Sequence, residues 1–248
     1  MPLKGLLKLS WIETKVFMRE PMGVVGTLFM PLVFFLIMAR FLRGVPHPAA
    51  PMGRLAFNAT ILSSLLIVLG AVQSLIAIMA IYREGGILKR LRATPLAPVT
   101  ILSAHVLVKL VLTLTSFLLL VVAGRRAMPG AMPEDMVSFA AAILLGTLGI
   151  LGLGFLVASL VPTARFAQPL SAVVFYPMLA LSGLFFPIAR LPLALRVVAN
   201  LLPTTHAVTL MRSTYQGTAW SAEWTSAAAL VATFAVCLLL ATRWFRWE

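Results

Sequence analysis

Few residues in this chain can do chemistry in water, and one internal stretch is densest in them. From Tyr82 to Leu96 the chain reads Tyr-Arg-Glu-Gly-Gly-Ile-Leu-Lys-Arg-Leu-Arg-Ala-Thr-Pro-Leu, its most polar internal stretch. Ile87, Leu88 and Leu91 recur at helical spacing opposite Lys89, Arg90 and Arg92, which predicts a short amphipathic helix at a membrane face. Gly85-Gly86 gives it a flexible start and Pro95 stops it. The chemistry on offer is recognition: cations for an acidic protein surface, aliphatic side chains for a groove. Two further ionisable groups, His105 and Lys109, are four residues apart and share a helix face. Such a pair at membrane depth suits a proton relay, or the lysine snorkels to the headgroups. Arg40 and Arg54 flank the first two apolar segments, where headgroup anchoring and contact with an anionic substrate both explain them. Arg190, Arg196, His206 and Arg212 surround a broken apolar stretch. Arg212 either pairs with Glu223 or lines an exit.

Hydrolytic chemistry has no comparable residues. A P-loop needs a Gly-Lys pair whose backbone amides cradle phosphate, and none occurs. There is no His-Glu-x-x-His, no Gly-x-Ser-x-Gly and only one cysteine, Cys237. No catalytic residue, bound cofactor or metal is expected in this chain.

The elements that must position these residues are apolar. The 248 residues are 61% hydrophobic and only 11% charged, with a mean hydropathy of +1.02. A soluble domain carries roughly 25% charged residues, so much of this surface faces lipid. Uncharged stretches cover 21–39, 55–82, 136–164, 166–189 and 224–242, and Lys109 alone interrupts 93–124. Each is long enough for the ~20 residues that cross ~30 Å of hydrocarbon. The chain is expected to be an all-α polytopic membrane protein in one domain, 1–248, with six transmembrane helices. An interfacial amphipathic helix at 1–20 precedes spans one and two in 22–80, with Pro31 a kink. The 82–98 loop follows, then spans three and four in 100–160. Span four carries Gly146, Gly149, Gly152 and Gly154, which let helices approach closely in lipid or serve as a hinge. Span five is 168–186. Within 187–213 the 15 residues between Arg196 and Arg212 are apolar but too short to cross, and Pro203 interrupts them, which predicts a re-entrant or interfacial hairpin. Span six is 222–242, ending in an aromatic and basic anchor. The net charge of +13 sits at segment ends and suits anionic headgroups rather than nucleic acid. Eleven Lys and Arg lie with the termini, the 82–98 loop and the 161–165 turn against eight opposite, a small excess toward both termini cytoplasmic.

At this point a resemblance emerges. Arg83 through Pro95 resembles the "E-x-G-T-L-x-x-L-x-x-T-P-L" segment of ABC-2 type permeases, the membrane subunits of one class of ATP-binding cassette exporters. Leu181-Ser-Gly-Leu-Phe-Phe-Pro187, Leu191-Pro192 and Asn200-Leu-Leu-Pro-Thr-Thr-His-Ala207 with Arg212 are similar to the family's signature before the last helix. Arg19-Glu20-Pro21 resembles its approach to span one. The two main blocks stand in the family's order, and the likeness covers nearly the whole chain. One departure is Gly86, where the family often has Thr.

The resemblance implies a permease that pairs with a second copy of itself or a homologous permease on two cytoplasmic ATPase subunits, which hold the ATP and Mg. Its implied coupling residues are Arg83, Glu84, Gly85, Gly86, Ile87, Leu88, Lys89, Arg90, Leu91, Thr94 and Pro95, on a cytoplasmic coupling helix. Its implied external re-entrant hairpin carries Gly183, Phe186, Pro187, Pro203, Thr205 and Arg212. The expected place is the cell inner (plasma) membrane, and the expected cargo a hydrophobic small molecule or lipid-linked substrate, closest to the drug-exporter branch. A stand-alone carrier or channel is the rival, though the paired intramembrane charges and inverted repeats of that class are not evident.

Overall fold

The protein is seen as a computed structural model that describes residues 3–19, 21–41, 51–87, 98–127, 132–161 and 163–244. Among them every regular element is helical. Among the described residues four helices are long and apolar enough to cross a bilayer: Asn58–Glu84, Thr100–Ala127, Met136–Leu160 and Trp224–Ala241. A pair bent by 77°, Leu193–Leu201 and Pro203–Tyr215, qualifies as a fifth crossing or as a re-entrant loop. The chain is thus a multi-pass membrane protein. The first expected span is a shorter apolar helix, Val25–Phe41, and the fifth is the 18-residue helix Ala164–Leu181 with Pro169 and Pro177 inside it.

In chain order we label α1 Leu3–Arg19, α2 Pro21–Val24, α3 Met30–Phe41, α4 Pro51–Glu84 and α5 Pro98–Ala127. There follow α6 Met136–Leu160, α7 Ala164–Leu181, α8 Leu193–Leu201, α9 Pro203–Tyr215 and α10 Trp224–Trp244. Between α2 and α3 the backbone widens into a π-turn, Val25–Phe29. Pro31 explains it, because its ring removes one donor and crowds the carbonyl four residues back. That carbonyl belongs to Thr27, and the Ser116 hydroxyl of α5, which donates to the Leu112 carbonyl of its own helix at 2.9 Å, shares its proton with it at 3.4 Å. In lipid no water is available for a freed carbonyl, so a neighbouring helix supplies the donor.

The centre of the bundle is α6. Its ridge of small residues lets three helices pack backbone-close, as happens where lipid offers no hydrophobic drive for association. A Cβ added to Gly152 would stand 2.8 Å from the Phe234 Cα of α10. One on Gly154 would meet Val72 of α4 at 2.7 Å, and one on Gly146 Ala207 of α9 at 3.1 Å. Around this ridge Leu65, Val72 and Leu75 of α4 and Phe139, Ile150 and Phe155 of α6 are fully buried. Asp135 caps α6, accepting from the Val137 and Ser138 backbone N–H groups and the Ser138 hydroxyl at 2.6 Å. These bonds hold its carboxyl below the usual range. The outer faces are apolar too, with Val111, Leu118 and Val122 of α5 and Val236 and Leu239 of α10 exposed. In a bilayer these face acyl chains rather than water.

The contact at Gly152 is with main chain, which cannot yield as a flexible side chain does. Gly152→Val should therefore push α6 from α10 and cost about 1–3 kcal/mol, read as a lowered melting temperature in detergent. Gly26→Ala, whose Cβ meets nothing within 4 Å, should not lower the melting temperature.

Candidate functional site

Three consecutive residues at the foot of α4 each reach a different element. Successive helical positions point about 100° apart, so Tyr82, Arg83 and Glu84 fan out rather than stack. The Tyr82 hydroxyl donates to both carboxylate oxygens of Glu13 on α1 at 3.0 Å. Arg83 turns to the C-terminal end of α6, where Nη2 donates to the Ala158 carbonyl at 3.0 Å and Nη1 to that of Val161. Glu84 turns to the start of α7 and accepts from the Ala164 backbone N–H at 2.8 Å. The cation thus meets the negative end of one helix dipole and the anion meets the positive end of the next. Hydrogen bonds from a charged donor such as Arg83 contribute about 1.5–3 kcal/mol in general.

Helix α4 then stops. The Gly85 N–H donates to the Ile81 carbonyl and the Gly86 N–H to that of Arg83. Gly86 has φ +66°, the left-handed conformation that ends helices and that glycine adopts without strain. The departure from Thr at this position therefore has a backbone reason: a β-branched residue would be strained there. Ile87 is exposed just beyond. Leu88, Lys89, Arg90, Leu91, Arg92, Thr94 and Pro95 lie outside the described residues.

Behind Tyr82 is a buried polar cluster. His105 Nδ1 is 3.4 Å from Glu13 Oε2, and the Lys109 ammonium donates to the Ser74 hydroxyl at 2.7 Å. It also lies 4.9 Å from the centre of the Phe17 ring, a cation–π distance. Lys109 is 1% exposed and so is held inside rather than snorkelling. His105 Nε2 is buried and has no hydrogen-bond partner among the described residues. Among the described residues no group of three or more His, Cys, Asp or Glu is placed to hold a metal.

The hairpin residues lie on the following elements. Gly183 turns the chain at φ +82°, while Phe186 and Pro187 are exposed. Pro203 starts α9, where the missing N–H costs nothing, and the adjacent Thr204 hydroxyl ties α9 to the Met178 carbonyl of α7 at 3.0 Å. Thr205 is buried. Arg212 donates to the Leu184 carbonyl at 3.4 Å, and Glu223 accepts from Ser226, so these two do not pair with each other. Arg40 is exposed at the end of α3, as an anchor would be. Helix α8 exposes Leu193, Val197 and Leu201 and buries only Ala199, the pattern of a helix lying along a surface.

A family model described as ABC-2 type transporter matches residues 5–215. The chain belongs to the ABC-2 type transporter family. Members of that family are membrane subunits without an ATPase of their own and work with an ATP-binding subunit. The chain is also similar to nodulation protein J of Rhizobium leguminosarum bv. viciae, 37% identical over 70 residues. The match spans 28% of this chain and 27% of that protein.

In this ABC-2 chain Arg83 and Glu84, the first residues of the expected coupling segment, have partners inside the chain. Glu13 escaped sequence reasoning because it looks like one more polar residue of an amphipathic helix. Its signal was spacing: Ser10, Glu13 and Phe17 form a stripe that the structure buries against α4 and α5.

Burial pushes the Glu13 carboxyl above its ordinary 4.5, with the Tyr82 hydroxyl and then the Lys109 charge drawing it back. The native state holds this proton more tightly than the unfolded chain, so stability declines as pH rises from 4.5 toward the raised native value. Glu13→Gln, neutral throughout, should flatten that segment of a melting-temperature-against-pH curve. Tyr82→Phe leaves the buried carboxyl short of a donor and should cost about 1–3 kcal/mol, read by thermal unfolding in detergent.

Proposed function

We propose that this chain is the transmembrane permease of an ATP-binding cassette exporter, driven in trans by two cytoplasmic ATPase subunits that bind the ATP and Mg. The observation that carries the reading is the ABC-2 match across residues 5–215, which includes the 82–98 loop. Two copies, or one copy with a homologous permease, would rock against each other to open a path between them. The closing of the ATPase dimer on ATP would pull on the segment Arg83–Pro95. Ile87, Leu88 and Leu91 fill the ATPase groove while Lys89, Arg90 and Arg92 face acidic residues around it.

The arrangement in the membrane follows from that docking. The 82–98 loop is cytoplasmic, six spans return both termini to the cytoplasm, and the 187–213 hairpin lies outside near the exit. The one-domain layout, with 1–20 interfacial and spans within 22–80, 100–160, 168–186 and 222–242, belongs to the same reading. The apolar hairpin helix α8 and the sparse charge within the spans favour a hydrophobic small molecule or lipid-linked cargo leaving through the inner membrane.

Leu91→Asp tests the coupling. The substituted permease should remain folded and inserted yet lose stimulation of ATP hydrolysis in a complex with an ABC ATPase. Full stimulation in the Leu91→Asp complex would remove the coupling assignment, and failure of any ABC ATPase to co-purify with the parent chain would favour a stand-alone carrier.

A further inference from the structure

The two charged residues at the foot of α4 bind the ends of two other helices, and nothing in the coupling reading requires that. The geometry leads us to propose that Arg83 and Glu84 are positioning residues that carry the movement of the 82–98 segment into the turn between α6 and α7. The inference rests on the coupling reading and adds a route by which the pull enters the bundle.

Three observations support the route. Arg83 reaches two carbonyls at the end of α6, Ala158 and Val161, in the last turn that an α-helix leaves without internal partners. Glu84 accepts from Ala164 at the start of α7, where Thr163 occupies the cap position but makes no side-chain cap bond. A free end on each helix is therefore gripped from α4, and by adjacent residues, so α4, α6 and α7 are joined within a few ångströms of the segment's first residue. The third observation is what lies downstream. α6 is the helix against which α4, α9 and α10 pack at its glycines, so a displacement of its end is passed to closely packed neighbours. α7 leads to the hairpin, tied to it by Thr204 and Met178. A pull on residues 82–98 thus arrives at the central helix and at the helix preceding the hairpin together. The rival role for the pair is that of static caps that stabilise the turn without moving with the segment.

Paired spin labels separate the two. In a Cys237→Ala background, labels placed at Ala93 and at Phe166, which is exposed on α7, report the distance between segment and turn. The chain would be co-expressed with an ABC ATPase and measured nucleotide-free and vanadate-trapped. Joint movement predicts a distance that is the same in both states. In Arg83→Ala/Glu84→Ala the distance should shift on trapping. Glu84→Gln, which keeps an acceptor oxygen for the Ala164 N–H, should behave as the parent and so guards against a mere folding defect. A parent distance that shifts on trapping as much as the double variant's would overturn the proposal. So would a double variant indistinguishable from the parent. Absence of any bound ATPase would instead sink the coupling reading, and the nucleotide-free distances would still report whether the clamp holds.

Discussion

Helices in lipid gain little from hiding apolar surface from one another, because the solvent is apolar too. What holds this bundle together is close packing of neighbouring helices onto the glycines of α6. Its glycines admit Phe234 of α10, Val72 of α4 and Ala207 of α9 to distances a side chain would forbid. The other elements are placed relative to that ridge. The α4 packed on it presents its foot to the end of α6, and the α9 packed on it carries the hairpin back toward α7. The same glycines admit a hinge reading, but each faces a specific neighbour at contact distance, so packing accounts for them without motion.

The second constraint is polar and follows from the first. Bringing helices together without water leaves each exposed carbonyl and N–H in need of a partner. The Thr27 carbonyl freed by Pro31 takes Ser116. The ends of α6 and α7 take Arg83 and Glu84, and the buried carboxylate of Glu13 takes Tyr82. Charged residues are scarce in this chain, and several of those inside it serve as donors and acceptors of this kind. One structural device thereby joins α1, α4, α5 and the α6–α7 turn at a single end of the molecule. That is the end from which the segment proposed to meet the ATPase emerges.

Local patterns, which a sequence displays directly, were enough for the membrane setting, the helical class, the glycine ridge and the two family blocks around 83–95 and 181–212. Hydropathy and period are properties of neighbouring residues, so they survive without knowledge of the fold. The proline kink in the first span was also visible, though not that it takes the form of a π-turn. Gly86 looked like a loosened family position, and only its φ of +66° shows a helix cap that glycine suits.

The partners were not legible. Glu13 and Tyr82 are 69 residues apart, Arg83 and Ala158 75, and Glu84 and Ala164 80. A carboxylate or guanidinium in a sequence shows a capacity to bind, not which group will stand within 3 Å of it. Lys109 showed the same ambiguity: its place in an apolar run allowed snorkelling, and the packing of α1 and α4 against α5 decided burial. Sequence by itself determined what each helix is made of and the medium it must face, because those depend on the side chains along one helix. Tertiary structure alone decided which helix ends are held and by whom, because a hydrogen bond depends on a separation in space that the order of residues does not contain.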